Sequence, residues 1–379
     1  MKIAVISETT ALETRVAATP ETIKKLIALG ASVTIEAGAG ASSGIPDADY
    51  AAAGATIAHS AKDALVDAAI VLKVRRPSDA EIALTPKGAL VFAIMDPYDS
   101  AEALAAMAKA GLSAFSMELM PRITRAQSMD VLSSQANLAG YRAVIDASAE
   151  YGRALPMMMT AAGTVPAAKV FIMGAGVAGL QAIATARRLG AVVTATDVRP
   201  AAKEQVASLG AKFVAVEDDE FKQAETAAGY AKPMSAEYQA KQAALVASHI
   251  AKQDIVITTA LIPGRPAPKL VSEEMVKSMR AGSVIIDLAV ERGGNVALSK
   301  AGETIVTENG VTILGPLNLP GRIAASASAL YAKNLFAFLE TMIDKKEKVL
   351  AVNWDDELVK ATLLTRDGSV VHPNFQSKS

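Results

Sequence analysis

The residues that first suggest chemistry lie in KVFIMGAGVAGLQAIATARRLGAVVTATDVRP (residues 169–200), where Gly174, Gly176 and Gly179 stand in G-x-G-x-x-G spacing. An apolar, partly β-branched run (170–173) precedes them. An Ala-rich helical segment (180–189) follows, Gly190 stops it, and a second strand-like run (191–196) ends on Asp197. The first glycine permits a tight turn, the second lets the backbone approach a pyrophosphate, and the third lets helix pack on strand. The helix N-terminus then offers N–H groups to the phosphates. Glycines alone also make plain turns, but strand, helix and terminal acid together predict a dinucleotide site.

Asp197 sets which dinucleotide. A carboxylate at that strand end accepts hydrogen bonds from ribose hydroxyls and repels a 2′-phosphate, which predicts NAD(H) despite Arg199 two positions on. The structural alternative is that Asp197 caps a helix starting near Pro200. A second polar cluster, Arg122, Arg125, Gln127, Asp130 and Ser133, supplies the donors and acceptors that a nicotinamide carboxamide needs. Helix capping by Ser128 or Asp130 explains the same residues equally well. The stretch 258–264 (TTALIPG) follows a strand whose end would sit over a cofactor, or it is a simple connecting loop.

Proton carriers are scarce. The histidines are His59, His249 and His372, in a turn, on a helical face and in the tail, and each reads as structural or exposed. Oxidising an alcohol or amine moves a proton as well as a hydride, usually through histidine or lysine. Hydride transfer without proton transfer therefore comes into view. The absence of cysteine excludes disulfides, thiolate nucleophiles and Cys-ligated zinc, and no metal site is expected. A net charge of −1, with no basic–aromatic interleaving, argues against nucleic acid. The start MKIAVISETT lacks the order of a signal peptide, and residues 155–180 are too broken by proline, lysine and glycine to span a membrane. The chain reads as soluble and cytoplasmic.

The elements that must position these residues alternate. Strands are expected at 1–6, 31–38, 69–74, 89–95 and 112–116. Thr19-Pro20-Glu21 starts a helix with a Thr cap and Pro in first position. A second set of strands follows at 170–173, 191–196, 212–216, 255–259 and 284–288. Long helices are expected over 130–151 and 322–343. The fold class is therefore α/β: two Rossmann-like doubly wound parallel-sheet domains joined by two long helices, with a cleft between them. Residues 1–125 with 343–379 form the first domain, 126–152 and 320–342 the connecting helices, and 153–319 the nucleotide domain. The loop 224–236 breaks the rhythm and reads as a lid or a disordered segment. Asn309-Gly310 and Asp367-Gly368 signal hairpins. The first of these lies outside the sheet rhythm and suggests a dimer arm over 295–315. Met157, Met158 and Met159 read as core or interface packing.

RITRAQSMDVLSSQANLAGYRAV (122–144), with GAGVAGLQAIATARRLGA and ATDVRP, closely resembles the NAD(H)-binding subunit of proton-translocating NAD(P) transhydrogenase. GYAKPMS, TTALIPGRPAPKLV, RVAATPE and GPLNLPGRIAASAS extend the resemblance over essentially the whole chain. It implies NAD(H) here and NADP(H) on a partner subunit, with hydride passing directly between them. Gln127, Asp130 and Ser133 would meet the nicotinamide and its ribose, with Ser128 and Met129 beside them. Arg122 would assist the carboxamide, and none of these acts as a general acid or base. Gly174, Gly176, Val177, Ala178 and Gly179 would hold the pyrophosphate, and Asp197, Val198 and Arg199 the adenosine end. Gly229, Thr259, Ala260 and Leu261 would line the pocket, and Tyr230 would ride a closing loop. The resemblance also implies a homodimer, an NADP(H)-binding subunit and a membrane-embedded proton-translocating subunit, and hence peripheral association with the inner membrane. Many relatives are fused to membrane helices; this chain stops at Ser379 without them, which implies separate subunits.

Alanine dehydrogenases are the nearest alternative. Their pattern has a histidine where ALVFAIMD ends on Asp96 here, and a lysine where LKVRRP offers Arg75. An amino-acid oxidoreductase using Arg15 and Arg75 to grip a carboxylate is thus the second reading, and a non-catalytic NAD sensor the third.

Overall fold

Strand-forming runs that are apolar on both faces need cover on both, and they find it in two separate, mainly parallel sheets. A computed structural model describes residues 1–223, 234–262 and 264–376. The chain divides into two compact units, Met1–Gln135 with Pro320–Ser379, and Ala136–Leu319.

In the first unit the sheet runs Ser369–Val370, Leu363–Arg366, Ser113–Ser116, Leu90–Ile94, Ile70–Arg75, Lys2–Val5, Ser32–Glu36, Thr56–Ala58. Its six N-terminal strands are parallel, and the two tail strands add antiparallel at one edge. Alternate residues of one strand feed opposite faces. Ile70, Leu72 and Val74 join a core with Phe92 and Phe115, while Val71 joins the other with Val91 and Ala114. The helix Pro20–Ala28 opens as its sequence indicates, with Thr19 and Thr22 forming a capping box and Pro20 at its start. The tail hairpin turns at Asp367 and Gly368, both at positive φ (50° and 82°), the geometry of the tight turns that suit Asp-Gly.

The second unit repeats the plan. Its sheet runs Lys212–Phe213, Val192–Thr196, Lys169–Met173, Ile255–Thr258, Val284–Asp287, Thr312–Leu314, Thr304–Val306. In both sheets the first strand is central and the order reverses beside it, the Rossmann arrangement. The Asn309-Gly310 hairpin is present, but it does not project as an arm. Thr312–Leu314 pairs in parallel with Val284–Asp287 and so belongs to the sheet. The Asn309 amide also bonds the carbonyls of Val276, Lys277 and Met279. The dimer-arm expectation therefore loses its basis.

A hairpin that the sequence did not signal forms instead from Met158–Thr160 and Gly163–Val165, a two-stranded sheet of its own. Met157, Met158 and Met159 stand exposed on it, which corrects their reading as core of this chain. The helix Val131–Glu150 begins in the first unit and ends in the second. Among the described residues no helix is long and apolar enough to cross a membrane.

Candidate functional site

Three neighbouring strands of the second unit end level. Thr196 is in register with Met173, and Met173 with Thr258. The next residue on each strand is Asp197, Gly174 and Thr259, so three sequence-predicted site residues form one row at the carboxyl ends of the sheet. The reversal in strand order falls between Lys169–Met173 and Ile255–Thr258, the place where open α/β sheets take their ligands.

Each glycine of the turn has a distinct task in this geometry. Gly174 has φ +109°, and a Cβ there would lie 2.5 Å from Thr259 Oγ1. That hydroxyl instead donates to the Gly174 carbonyl at 3.1 Å, tying the turn to the next strand. A Cβ on Gly179 would meet the Gly174 carbonyl oxygen at 1.8 Å, so only glycine lets the helix Val177–Arg188 start this close to its strand. Gly176 is different: among the described residues, its own chain neighbours apart, no atom lies within 4 Å of its would-be Cβ. The space is open on the side where backbone must approach a pyrophosphate, and Gly176 brings no side-chain cap to the helix N-terminus. Val177 is exposed and Ala178 half-buried beside it. The turn therefore fits a dinucleotide on the shape of its own backbone.

Asp197 does not cap the following helix. Its Oδ2 accepts from the Ala175 backbone N–H at 2.7 Å, inside the glycine turn, and its Oδ1 from the Arg199 backbone N–H at 2.9 Å. The Arg199 guanidinium closes on the same carboxylate through Nε and Nη2. Val198 is exposed between them. Beyond Thr259, Ala260 is half-buried and Leu261 exposed. Gly229 and Tyr230, with most of the expected lid, lie outside the described residues.

Sequence reasoning missed two supports of this row. Asn295, fully buried, accepts from the Ala260 N–H at 3.0 Å and donates to the carbonyls of Ala260 (2.9 Å) and Pro268 (2.8 Å). Gly140 lies within the helix Val131–Glu150, where a Cβ would fall 2.0 Å from the Ala178 carbonyl oxygen. A glycine deep inside a 20-residue helix was the available signal for Gly140, since it costs helix stability without a packing reason.

The second polar cluster is part of the first unit. A 3-10 turn, Thr124–Met129, buries Ala126 and Met129 and leaves Gln127 and Ser128 exposed. Asn334 holds the turn, its Nδ2 donating to the Ser128 carbonyl at 2.7 Å and its Oδ1 accepting from Ser134 Oγ at 2.7 Å. Asp130 caps the long helix, accepting the Ser133 N–H at 2.9 Å and Ser133 Oγ at 2.5 Å. Capping thus accounts for Asp130 and Ser133 locally, and it also fixes the direction of both side chains. Arg122 is exposed. Arg125 leaves the candidate set: its guanidinium is paired with Asp356 (2.7 Å) and Glu357 (3.2 Å) of the tail.

Arg15 and Arg75, the pair a carboxylate substrate would need, share Glu13. Arg15 Nε and Nη2 each donate to it at 2.7 Å, Arg15 Nη1 donates to Gln135 at 2.8 Å, and Arg75 Nε donates to Glu13 at 2.8 Å. Burial alone would raise the Glu13 pKa, but Arg15 and then Arg75 outweigh it and bring it down to about 2. The two guanidiniums thus already hold a permanent internal carboxylate. Two of the three histidines are held in packing and hydrogen-bond contacts. His59 is exposed. His249 packs on Phe171 and bonds Thr194 at 2.8 Å, and His372 sits against the Ala361 carbonyl; burial pushes both pKa values down. No cluster of metal-ligating side chains occurs among the described residues.

Residues 4–139 match the N-terminal domain of the alanine dehydrogenase/PNT family, and residues 143–373 its C-terminal domain. An NAD(P) transhydrogenase alpha-subunit chain of Rhodospirillum rubrum is 56% identical over 98% of both chains. The crystal structure of transhydrogenase from Sinorhizobium meliloti is 65% identical, with a TM-score of 0.90, covering 98% of this chain and 100% of that one. The alanine dehydrogenase of Methanococcus maripaludis is more distant, at 30% identity over 98% of this chain and 95% of its own.

Proposed function

This chain belongs to the alanine dehydrogenase/PNT family, on the side of the NAD(P) transhydrogenase alpha subunits, and we infer from that premise that it is the NAD(H)-binding component of a proton-translocating transhydrogenase. Bound NAD(H) supplies a hydride that passes directly to or from NADP(H) on a partner. The chain's own residues bind, orient and exclude; none is asked to move a proton at the reacting carbon. What carries this reading is the level row of Gly174, Asp197 and Thr259 at the point where the strand order reverses. The filling of Arg15 and Arg75 by Glu13 supports it against the amino-acid oxidoreductase reading.

The residue roles follow the site chemistry. Gly174, Gly176, Val177, Ala178 and Gly179 receive the pyrophosphate on backbone N–H groups. Asp197, Val198 and Arg199 meet the adenosine, and Thr259, Ala260 and Leu261 flank the turn. Gln127, Asp130 and Ser133 meet the nicotinamide and its ribose, with Ser128, Met129 and Arg122 in support. Rate enhancement then comes from position and preorganised dipoles rather than acid–base chemistry.

The chain works with other subunits. The finer proposal is an NADP(H)-binding subunit and a membrane-embedded, proton-translocating subunit, through which this chain associates peripherally with the inner membrane. A homodimer is proposed as well. The hairpin Met158–Thr160 with Gly163–Val165 supports it, because an isolated two-stranded sheet is marginal in water and this one exposes methionine side chains.

Reconstitution tests the function. The purified chain with an NADP(H)-binding transhydrogenase subunit should exchange hydride between NADH and an NADP+ analogue. Alone, with NAD+ and L-alanine, it should make no NADH. Steady NADH production in that second assay would overturn the reading.

A further inference from the structure

The carboxylate that would grip the adenosine ribose is already saturated from within the chain. An ionised carboxylate has about four acceptor positions, and all four of Asp197 are taken. Two go to backbone N–H groups, Ala175 at 2.7 Å and Arg199 at 2.9 Å, which the fold fixes. The other two go to one guanidinium, Arg199 Nε at 2.9 Å and Nη2 at 3.1 Å, and Nη2 also reaches the Ala175 carbonyl at 3.2 Å. The Asp197 side chain is 8% exposed and that of Arg199 30%. The replaceable half of the shell is therefore the half facing solvent.

We propose that Arg199 is a specificity-determining residue that occupies the ribose positions of Asp197, so that NADH must displace its guanidinium to bind. The proposal rests on the reading of Asp197 as the ribose acceptor, and it gives Arg199 a place beside the adenosine without a contact that strengthens binding. A ribose brings two O–H donors, and the only positions it can take without unmaking backbone structure are those held by Nε and Nη2. Binding then exchanges two contacts between ionised groups for two in which only the acceptor is charged, a poorer trade than filling an empty carboxylate. The guanidinium remains tethered two residues away, beside the 2′ position. There it offsets the repulsion that Asp197 would exert on a 2′-phosphate. Arg199 thus weakens NADH binding and blunts discrimination against NADPH at the same time.

Fluorescence titration of the full-length chain with NADH and with NADPH tests both consequences, using wild type, Arg199→Ala and Arg199→Lys, with thermal melts to verify folding. Arg199→Ala should bind NADH at least threefold more tightly, and the NADH-to-NADPH preference should rise at least tenfold. Arg199→Lys keeps the charge but cannot hold two in-plane positions, so it should tighten NADH while retaining more NADPH binding than the alanine variant. A folded Arg199→Ala that binds NADH no better than wild type overturns the proposal and leaves the cofactor reading standing. A wild-type chain that binds no NADH overturns the cofactor reading, and this proposal with it.

Discussion

The Asn295 side chain meets the Ala260 backbone as one strand meets another, accepting from its N–H at 3.0 Å and donating to its carbonyl at 2.9 Å. Its Nδ2 also reaches the Pro268 carbonyl, so one buried amide holds both ends of the segment that leaves the strand Ile255–Thr258. Asn295→Ala leaves these backbone groups without that partner and should cost about 2–4 kcal/mol. Urea titration should read that loss, and NADH titration should show weaker binding. A stability loss with unaltered NADH affinity would remove Asn295 from the site and leave it a purely structural clamp.

Gly140 poses a conflict between local preference and packing. Alanine is the better helix former by about 1 kcal/mol, yet its Cβ would stand 2.0 Å from the Ala178 carbonyl oxygen. That neighbour is backbone at the start of the helix that follows the glycine turn, and it cannot rotate aside. Gly140→Ala should therefore destabilise by about 1–3 kcal/mol, despite the gain in propensity. It should also weaken NADH binding, because the displaced atoms adjoin the proposed pyrophosphate N–H groups. A variant as stable as wild type, with the same NADH affinity, would show that the two helices can separate freely.

The fold was legible because its strands are buried on both faces. Runs such as Leu90–Ile94 and Ile255–Thr258 are apolar at nearly every position, and the helices around such runs have readable starts, Thr19-Pro20 among them. The glycine turn was legible too, since each glycine answers a local steric demand. What escaped detection depends on contacts remote in sequence. Asn295 clamps a residue 35 positions away, and Arg125 is drawn off by an aspartate 231 positions away. The three methionines read as core or interface packing, and hydrophobicity alone does not say that they lie exposed on this chain. Asn309-Gly310 made the expected turn, but only the sheet register could show that its second strand lies inside the sheet.

Glu13 gives a pH signature. Its pKa is lowered from 4.5 to about 2 in the folded chain: burial acts to raise it, and Arg15 and Arg75 overcome that. A depressed carboxylate pKa contributes stability that is complete above the unfolded value and lost as pH falls through the folded one. The contribution should be about 3 kcal/mol at neutral pH and should fade between about pH 4.5 and pH 2. Glu13→Gln should thus be strongly destabilised at pH 7, and its gap to wild type should narrow as the pH falls through 4. Urea titrations across that range measure the gap. A constant difference would mean that the loss comes from packing rather than from charge.

Gln127 separates binding from transfer. It stands exposed on the 3-10 turn Thr124–Met129, while its neighbours are committed: Ser128 offers its carbonyl to Asn334, and Asp130 caps the helix. Deleting its side chain therefore leaves the turn's own hydrogen bonds in place. Most NADH affinity should come from the proposed pyrophosphate and adenosine contacts, so Gln127→Ala should bind NADH within a few-fold of wild type. Hydride exchange needs the nicotinamide in one orientation, and losing the proposed Gln127 contact to it should slow single-turnover transfer to an NADP+ analogue on the partner subunit by tenfold or more. Asp130→Ala should behave differently. It removes the cap that orients Ser133, so it should lower both stability, by about 1 kcal/mol, and the transfer rate. An undiminished single-turnover rate in Gln127→Ala would take Gln127 out of the transfer step.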